Sequence, residues 1–359
     1  MMRFIMGIVT NNKRAAQADK DFDLSFSEGH EIKVQFNCEV LSGCEFKCKG
    51  CFVNKLGSNM GSYDRLNNAI DLFNNNGYRV STVNIGPTDL FGNNNVIELL
   101  QDETFRECLS KVSTIQFVTT LTNISTDRDD SNQHYNSTDV IQLLNSIPKI
   151  DGFMYDVNIA LQPPVDWDWV EERLNLLNEF TDDLNYYMVY NMGNDDEYNS
   201  KVLEMSELVE DRFDSILTLN PSFFRAPKSK VQKHLIEKWK GYDFSDDLMP
   251  KTFIDQAQGG SLELNYTYCN ERFFWTPFVY DIALIGTDEF KVKDENDIES
   301  WTEAKSFQFM EQLTYSAETN NCGSCPNMMT CIDKGVLSYM KHHSLVSCVF
   351  PGVVTTNKS

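Results

Sequence analysis

The chain has 359 residues, 41% hydrophobic and 23% charged, which is enough apolar material for one large domain or two ordinary ones and excludes disorder throughout. Lys and Arg number 31 against 53 Asp and Glu, a net charge of −22; a surface so acidic repels phosphate backbones and anionic lipid, so nucleic acid is not an expected partner. No apolar run approaches the roughly 20 residues of a membrane span. The short stretch Phe4 to Val9 runs into Asn11, Asn12, Lys13 and Arg14 without a small-residue cleavage site, and a cytoplasmic location is expected.

The first predicted element is a strand over His30 to Val40, where apolar residues recur at alternate positions. Residues 63–76 carry Leu66, Ala69, Ile70 and Phe73 at helical spacing, with Gly77 as the C-cap. A second strand over 79–85 leads into the turn Gly86, Pro87, Thr88, Asp89. The alternation continues with a helix over 96–111, a strand over 112–121, a helix over 138–146 and a strand over 152–161. Asp166 is placed to N-cap a helix through Phe180. Tyr186 to Tyr190 form a fifth strand, 200–213 a helix, and Ser215 to Leu219 a sixth strand ending at Asn220 and Pro221.

Strands that alternate with helices through short loops pair in parallel, and the predicted fold class is α/β, a partial (β/α)6 TIM-type barrel. The rhythm breaks after residue 225. Residues 227–241 read as a basic amphipathic helix with Lys228, Lys230, Lys233, Lys238 and Lys240, either a solvated face or a dock for an acidic partner. Residues 261–291 are strand-rich and include Phe273, Phe274 and Trp275. The expected organisation is an N-terminal segment over 1–29, the barrel over 30–244, a smaller Cys-rich α+β extension over 245–352 and a tail over 353–359.

The ten cysteines are clustered, which in a reducing compartment points to metal ligands or redox centres before disulfides. Cys44, Cys48 and Cys51 follow the first strand at the spacing Cys-x3-Cys-x2-Cys. Three thiolates do not close a structural zinc site unaided, but they suit a cubane cluster whose fourth iron stays open to a chelating small molecule. Cys322, Cys325 and Cys331, with Cys348 downstream, supply four thiolates, and that spacing fits zinc or an iron–sulfur cluster. Cys38 and Cys108 read as small buried hydrophobes, and Cys269 as isolated. His342 and His343 lie between Cys331 and Cys348 as weaker ligand candidates.

With CEFKCKGC after its first strand, the chain resembles the radical S-adenosylmethionine (SAM) superfamily. The resemblance implies a [4Fe–4S] cluster on Cys44, Cys48 and Cys51 whose open iron binds SAM, and reductive cleavage to a 5′-deoxyadenosyl radical that abstracts a substrate hydrogen. The family usually has an aromatic before the third cysteine; this chain has Gly50 there and Phe52 after it, which makes Phe52 the candidate for packing on adenine. The family's Gly-Gly-Glu-type motif corresponds to Gly86, Thr88 and Asp89, with Asp89 placed to accept from the SAM ammonium or to serve as a helix N-cap. Thr120, Thr122, Asn123, Asn158, Asn191 and Asn220 stand at strand ends facing the same mouth, and each also suits an ordinary loop or cap. Asp156, Tyr190 and Arg225 are the candidate catalytic groups.

The second cysteine set is similar to the outer ligands of a SPASM/Twitch extension, here shortened, which implies a second, auxiliary [4Fe–4S] cluster on Cys322, Cys325, Cys331 and Cys348. Cys269 sits where the missing ligands of a full set would begin and is free or a remnant. The resemblance implies a peptide or protein side chain as substrate, with crosslinking, epimerisation or oxidation as the outcome, and an electron donor such as flavodoxin or ferredoxin. A sugar, nucleotide or amino-acid derivative is the alternative substrate, since no leader-binding domain is evident before residue 30. A non-enzymatic zinc protein is the reading from another class, and it predicts a colourless protein where the first predicts a brown one.

Overall fold

The computed structural model describes residues 31–41, 46, 62–93, 95–124, 137–161, 164–181, 183–191, 200–201, 218–220, 261–274 and 291–301. In chain order the strands are β1 (Glu31–Glu39), β2 (Arg79–Asp89), β3 (Thr114–Thr119), β4 (Met154–Ala160), β5 (Leu184–Asn191), β6 (Thr218–Asn220), β7 (Ser261–Cys269) and β8 (Arg272–Phe274). The helices are α1 (Asp64–Asn75), α2 (Val96–Gln101), α3 (Glu103–Ser110), α4 (Ser137–Asn145) and α5 (Trp167–Phe180). The strands form one sheet in the order β6-β5-β4-β3-β2-β1-β7-β8, and β2 through β6 pair in parallel. The fold is a partial α/β barrel.

The local chemistry explains most of these elements. Gly77, at φ +83°, follows α1 in the left-handed conformation that ends a helix without a Cβ penalty. Asp166 caps α5 by accepting from the Trp169 N–H at 3.2 Å. The helix expected over 96–111 is two helices. Asp102 breaks it with an extended backbone, and its carboxylate accepts from the Phe105 N–H at 2.8 Å, which starts α3. The second strand does not stop at residue 85 but runs on to Asp89. Ile85 pairs with Phe117 and Asp89 with Val118, so residues 86–88 form a bulge with no counterpart on β3.

The sheet has two unlike faces. On β3 and β4 the residues Ile115, Phe117 and Thr119, and Tyr155, Val157 and Ile159, are buried. On β1 the matching set is Val34, Phe36 and Cys38, and the Phe36 ring meets Phe73 of α1 at 6.0 Å between centroids, so this face lies under the helices. The alternate residues, among them Asn37, Gln116 and Asp156, are half-buried on the opposite face.

The chain divides into two compact units, one of Val34–Ser222 with Tyr266–Phe273, the other of Met1–Lys33, Phe223–Asn265 and Phe274–Ser359. In the first unit, Phe36 packs against Tyr266 and Phe273, and the Tyr268 hydroxyl donates to the Ser62 carbonyl at 2.9 Å. Residues Tyr266–Phe273 thus complete the barrel's aromatic core, although their composition groups them with the C-terminal extension. Asn270 and Glu271, at φ 50° and 59°, make the two-residue turn between β7 and β8. In the second unit, Phe274 bridges Lys291 in antiparallel fashion, and the buried Trp301 donates its indole N–H to the Glu295 carbonyl at 3.1 Å. The expected domain boundary at 244/245, the helix over 227–241 and nearly all of the helix over 200–213 lie outside the described residues. Among the described residues no helix is long and apolar enough to cross a membrane.

Candidate functional site

The carboxyl ends of the parallel strands are where ligands meet an α/β barrel, and here the end of β2 is tied to the end of β3 by one carboxylate. Asp89 is 4% exposed. Its Oδ1 accepts from the Phe91 and Gly92 N–H groups, both at 2.8 Å. Its Oδ2 accepts from the Thr120 N–H, from Thr120 Oγ1 at 2.8 Å and from Thr119 Oγ1 at 3.3 Å. Burial pushes the Asp89 carboxyl above its ordinary value, and the bonds from Thr120, Gly92 and Phe91 pull it back down. An ionised carboxylate offers about four lone-pair sites, so these donors saturate it. A direct bond from an outside ammonium would displace one of them.

The neighbouring residues extend this lock. Asn93 donates to Thr88 Oγ1 at 3.0 Å, and Asn123 donates to the Phe91 carbonyl at 3.1 Å. The Gly86 carbonyl accepts from the Val40 and Leu41 N–H groups at 3.0 and 3.1 Å, which fastens the chain leaving β1 to the bulge in β2. Leu121 is buried at φ 65°, a conformation costly for a branched side chain, and its N–H bonds back to Thr119 Oγ1 at 3.0 Å. That turn leaves Thr120 half-buried and Thr122 exposed, with their hydroxyls 3.0 Å apart.

The structure therefore brings Gly86, Thr88, Asp89, Thr120 and Asn123 together, and spends the side chains of Thr88, Asp89 and Asn123 on holding the loops. Asp156 and Asn158 stand on the half-buried face of β4. Asn191 and Asn220 are register partners at the ends of β5 and β6. The side chains of Tyr190, Asn191 and Asn220 lie outside the described residues, as do Cys44, Cys48, Cys51, Phe52, Arg225, His342 and His343. The second cysteine set, Cys322, Cys325, Cys331 and Cys348, lies outside them too. Cys38, Cys108 and Cys269 are buried, free of disulfides, and desolvation pushes the Cys108 and Cys269 thiols up to about 12.

Two features escape a reading of the sequence alone. The first is a polar row across the face opposite the helices. Asn84 pairs in register with Gln116, Gln116 with Asp156 and Asp156 with Asn185. Asn84 Nδ2 donates to Asn37 Oδ1 at 3.3 Å, and Asn185 Nδ2 donates to Asp156 Oδ1 at 3.4 Å. Burial raises the Asp156 carboxyl, with the Asn185 bond lowering it in part. Barrel interiors are ordinarily filled with branched aliphatics; a row of amides around one carboxylate is a surface for hydrogen bonding. Its signal in the sequence is a polar residue at the centre of each strand, meaningful only once the register is known. The second feature is Phe46, between Cys44 and Cys48 in the sequence, whose ring lies against Gly92 in the loop after β2. This contact places a residue of the cysteine segment at the same strand ends as Asp89.

No protein-family model matches the chain, and no curated protein matches it in sequence. Solved structures match it in shape. A histidine-tagged anSMEcpe with bound AdoMet superposes at a TM-score of 0.52 and 12% identity, covering 84% of this chain and 88% of that one. Native anSMEcpe with bound AdoMet and the Cp18Cys peptide gives 0.50 and 10% identity over the same shares. Streptococcus suis SuiB bound to S-adenosylmethionine gives 0.46 and 13%, covering 92% of this chain and 80% of that one. The chain shares the fold of anSMEcpe. At such identity the likeness is one of architecture.

Proposed function

We propose that the protein is a radical SAM enzyme that modifies a peptide. The observation that supports this reading is the position of Phe46, which stands between Cys44 and Cys48 in the sequence and lies against Gly92 at the carboxyl ends of a partial barrel whose fold is shared with a protein solved with AdoMet. Cys44, Cys48 and Cys51 would hold a [4Fe–4S] cluster, which would supply the electron for reductive cleavage of SAM, and the 5′-deoxyadenosyl radical so released would abstract hydrogen from a substrate carbon. Asp89 fixes the loops after β2 and β3, so that Gly86, Thr120 and Asn123 present one rigid wall to SAM, with Asn158, Asn191 and Asn220 completing the mouth and Phe52 packing on adenine. The row of Asn37, Asn84, Gln116, Asp156 and Asn185 offers alternating donors and acceptors to the substrate's peptide groups. Peptide rather than a small metabolite is supported by that row and by the peptide bound to anSMEcpe in one of the matching structures. Cys322, Cys325, Cys331 and Cys348 hold an auxiliary cluster used for electron transfer, and a flavodoxin or ferredoxin supplies the electrons.

Anaerobic reconstitution tests the reading. The expected protein is brown, holds about eight irons and releases 5′-deoxyadenosine from SAM under a reductant. The variant with Cys44→Ala, Cys48→Ala and Cys51→Ala is expected to release none, and Cys325→Ala to keep SAM cleavage with about half the iron. Cleavage by the triple variant, or a colourless protein loaded with zinc, overturns the assignment. Peptide pools from cell extract, searched by mass spectrometry for SAM-dependent mass changes, decide the substrate class.

A further inference from the structure

We infer that Gly92 is a positioning residue for the first cluster: the absence of a side chain there is what lets Phe46 seat the cysteine segment on the barrel. The inference rests on the reading of Cys44, Cys48 and Cys51 as cluster ligands. Gly92 does not occupy the left-handed region, so its backbone does not call for glycine. The need is steric. A Cβ at this position would overlap Phe46 Cε2 outright and stand 2.9 Å from Cδ2 and 3.2 Å from Cζ. An ordinary contact needs about 3.5 Å or more, so one partner must move by on the order of 1 Å.

The Gly92 side has little freedom to yield. Its N–H and that of Phe91 are held by Asp89 Oδ1, the Phe91 carbonyl is held by Asn123, and the Leu90 N–H donates to the Val118 carbonyl at 2.9 Å. Leu90, Phe91 and Gly92 are buried, and the Phe91 ring stacks edge-on against Phe117 at 5.9 Å. The displacement therefore falls on Phe46. Phe46 is two residues along the chain from Cys44 and two from Cys48, a reach of about 7 Å. Metal–ligand distances tolerate about 0.2 Å, so a shift of the ring transmitted over that reach is large for a cluster and small for the barrel.

The test is a double-mutant cycle on full-length, anaerobically reconstituted protein: wild type, Gly92→Ala, Phe46→Ala and the double variant. Two readouts are used, the change in the reduced cluster's electron paramagnetic resonance spectrum on adding SAM, and the rate of iron loss to EDTA. Gly92→Ala is expected to lose iron at least about fivefold faster than wild type and to lose most of the SAM-induced spectral change. In the Phe46→Ala background, where no ring or δ carbon remains to meet the added methyl, Gly92→Ala is expected to have no further effect. Wild-type behaviour of Gly92→Ala overturns the inference. So does an equal loss in both backgrounds, since damage to the barrel from alanine at 92 does not depend on Phe46. A wild-type protein without an iron–sulfur spectrum overturns the cluster reading itself, whereas an intact wild-type cluster indifferent to Gly92→Ala overturns only the role of Gly92.

Discussion

Asp89→Asn separates a carboxylate that holds the fold from one kept for a ligand. The amide oxygen, placed as Oδ1, still accepts from the Phe91 and Gly92 N–H groups. The amide nitrogen then faces the Thr120 N–H, a donor against a donor. The hydroxyls of Thr119 and Thr120 rotate to accept instead, but the backbone N–H has no such freedom. One buried donor left unmade costs about 1–3 kcal/mol, and bonds to a charged acceptor exceed those to a neutral one by about 1 kcal/mol. The expected loss is about 2–4 kcal/mol in urea unfolding of the cluster-free protein, with faster hydrogen exchange at the Phe91, Gly92 and Thr120 amides. The pH dependence has a definite sign. The folded-state value of Asp89 is raised, so its titration stabilises the protein below the ordinary carboxylate value of about 4 and that contribution is lost as pH rises through the raised value. Asparagine does not titrate, so the margin of wild type over Asp89→Asn is widest in acid and narrows above it. Equal stability with unchanged exchange at those three amides would refute the account.

Two further substitutions test the fold and the polar row. Glu271→Gly is expected to stabilise the protein by about 0.5–1 kcal/mol in thermal unfolding, because a side chain at φ 59° costs roughly 1–2 kcal/mol and glycine returns only part of that through unfolded-state entropy; a destabilised variant means that the carboxylate makes a compensating bond. Gln116→Leu replaces an amide in the polar row with the kind of residue that usually fills a barrel, and is expected to raise stability by about 1 kcal/mol while abolishing peptide modification. A loss of stability with modification intact would make Gln116 structural.

Much of the architecture is written in short-range pattern. Hydrophobic alternation and helical spacing depend on neighbours within a few residues, so the order of β1 to β6 and the ends of α1 and α5 are readable at Gly77 and Asp166. The cysteine spacings are likewise local, and with them the chemistry of the proposed centre. The break at Asp102 is hidden because apolar periodicity runs across it, although the same residue carries a capping signal. The run of β2 through Gly86 and Pro87 is hidden because those residues usually mark a turn, whereas here a bulge absorbs them.

The site depends on separations that no local pattern encodes. Asp89 meets Thr120 across 31 positions and Asn123 meets Phe91 across 32, and each bond exists because parallel register brings two strand ends together. Gly92 meets Phe46 through steric contact between two loops, and a glycine in a loop looks the same whether or not a ring fills the space beside it. Asn84, Gln116, Asp156 and Asn185 are single polar residues in four strands until pairing aligns them. Residue identity sets which groups can donate, accept or bind metal; a shift of register by one residue would send every member of that row to the opposite face.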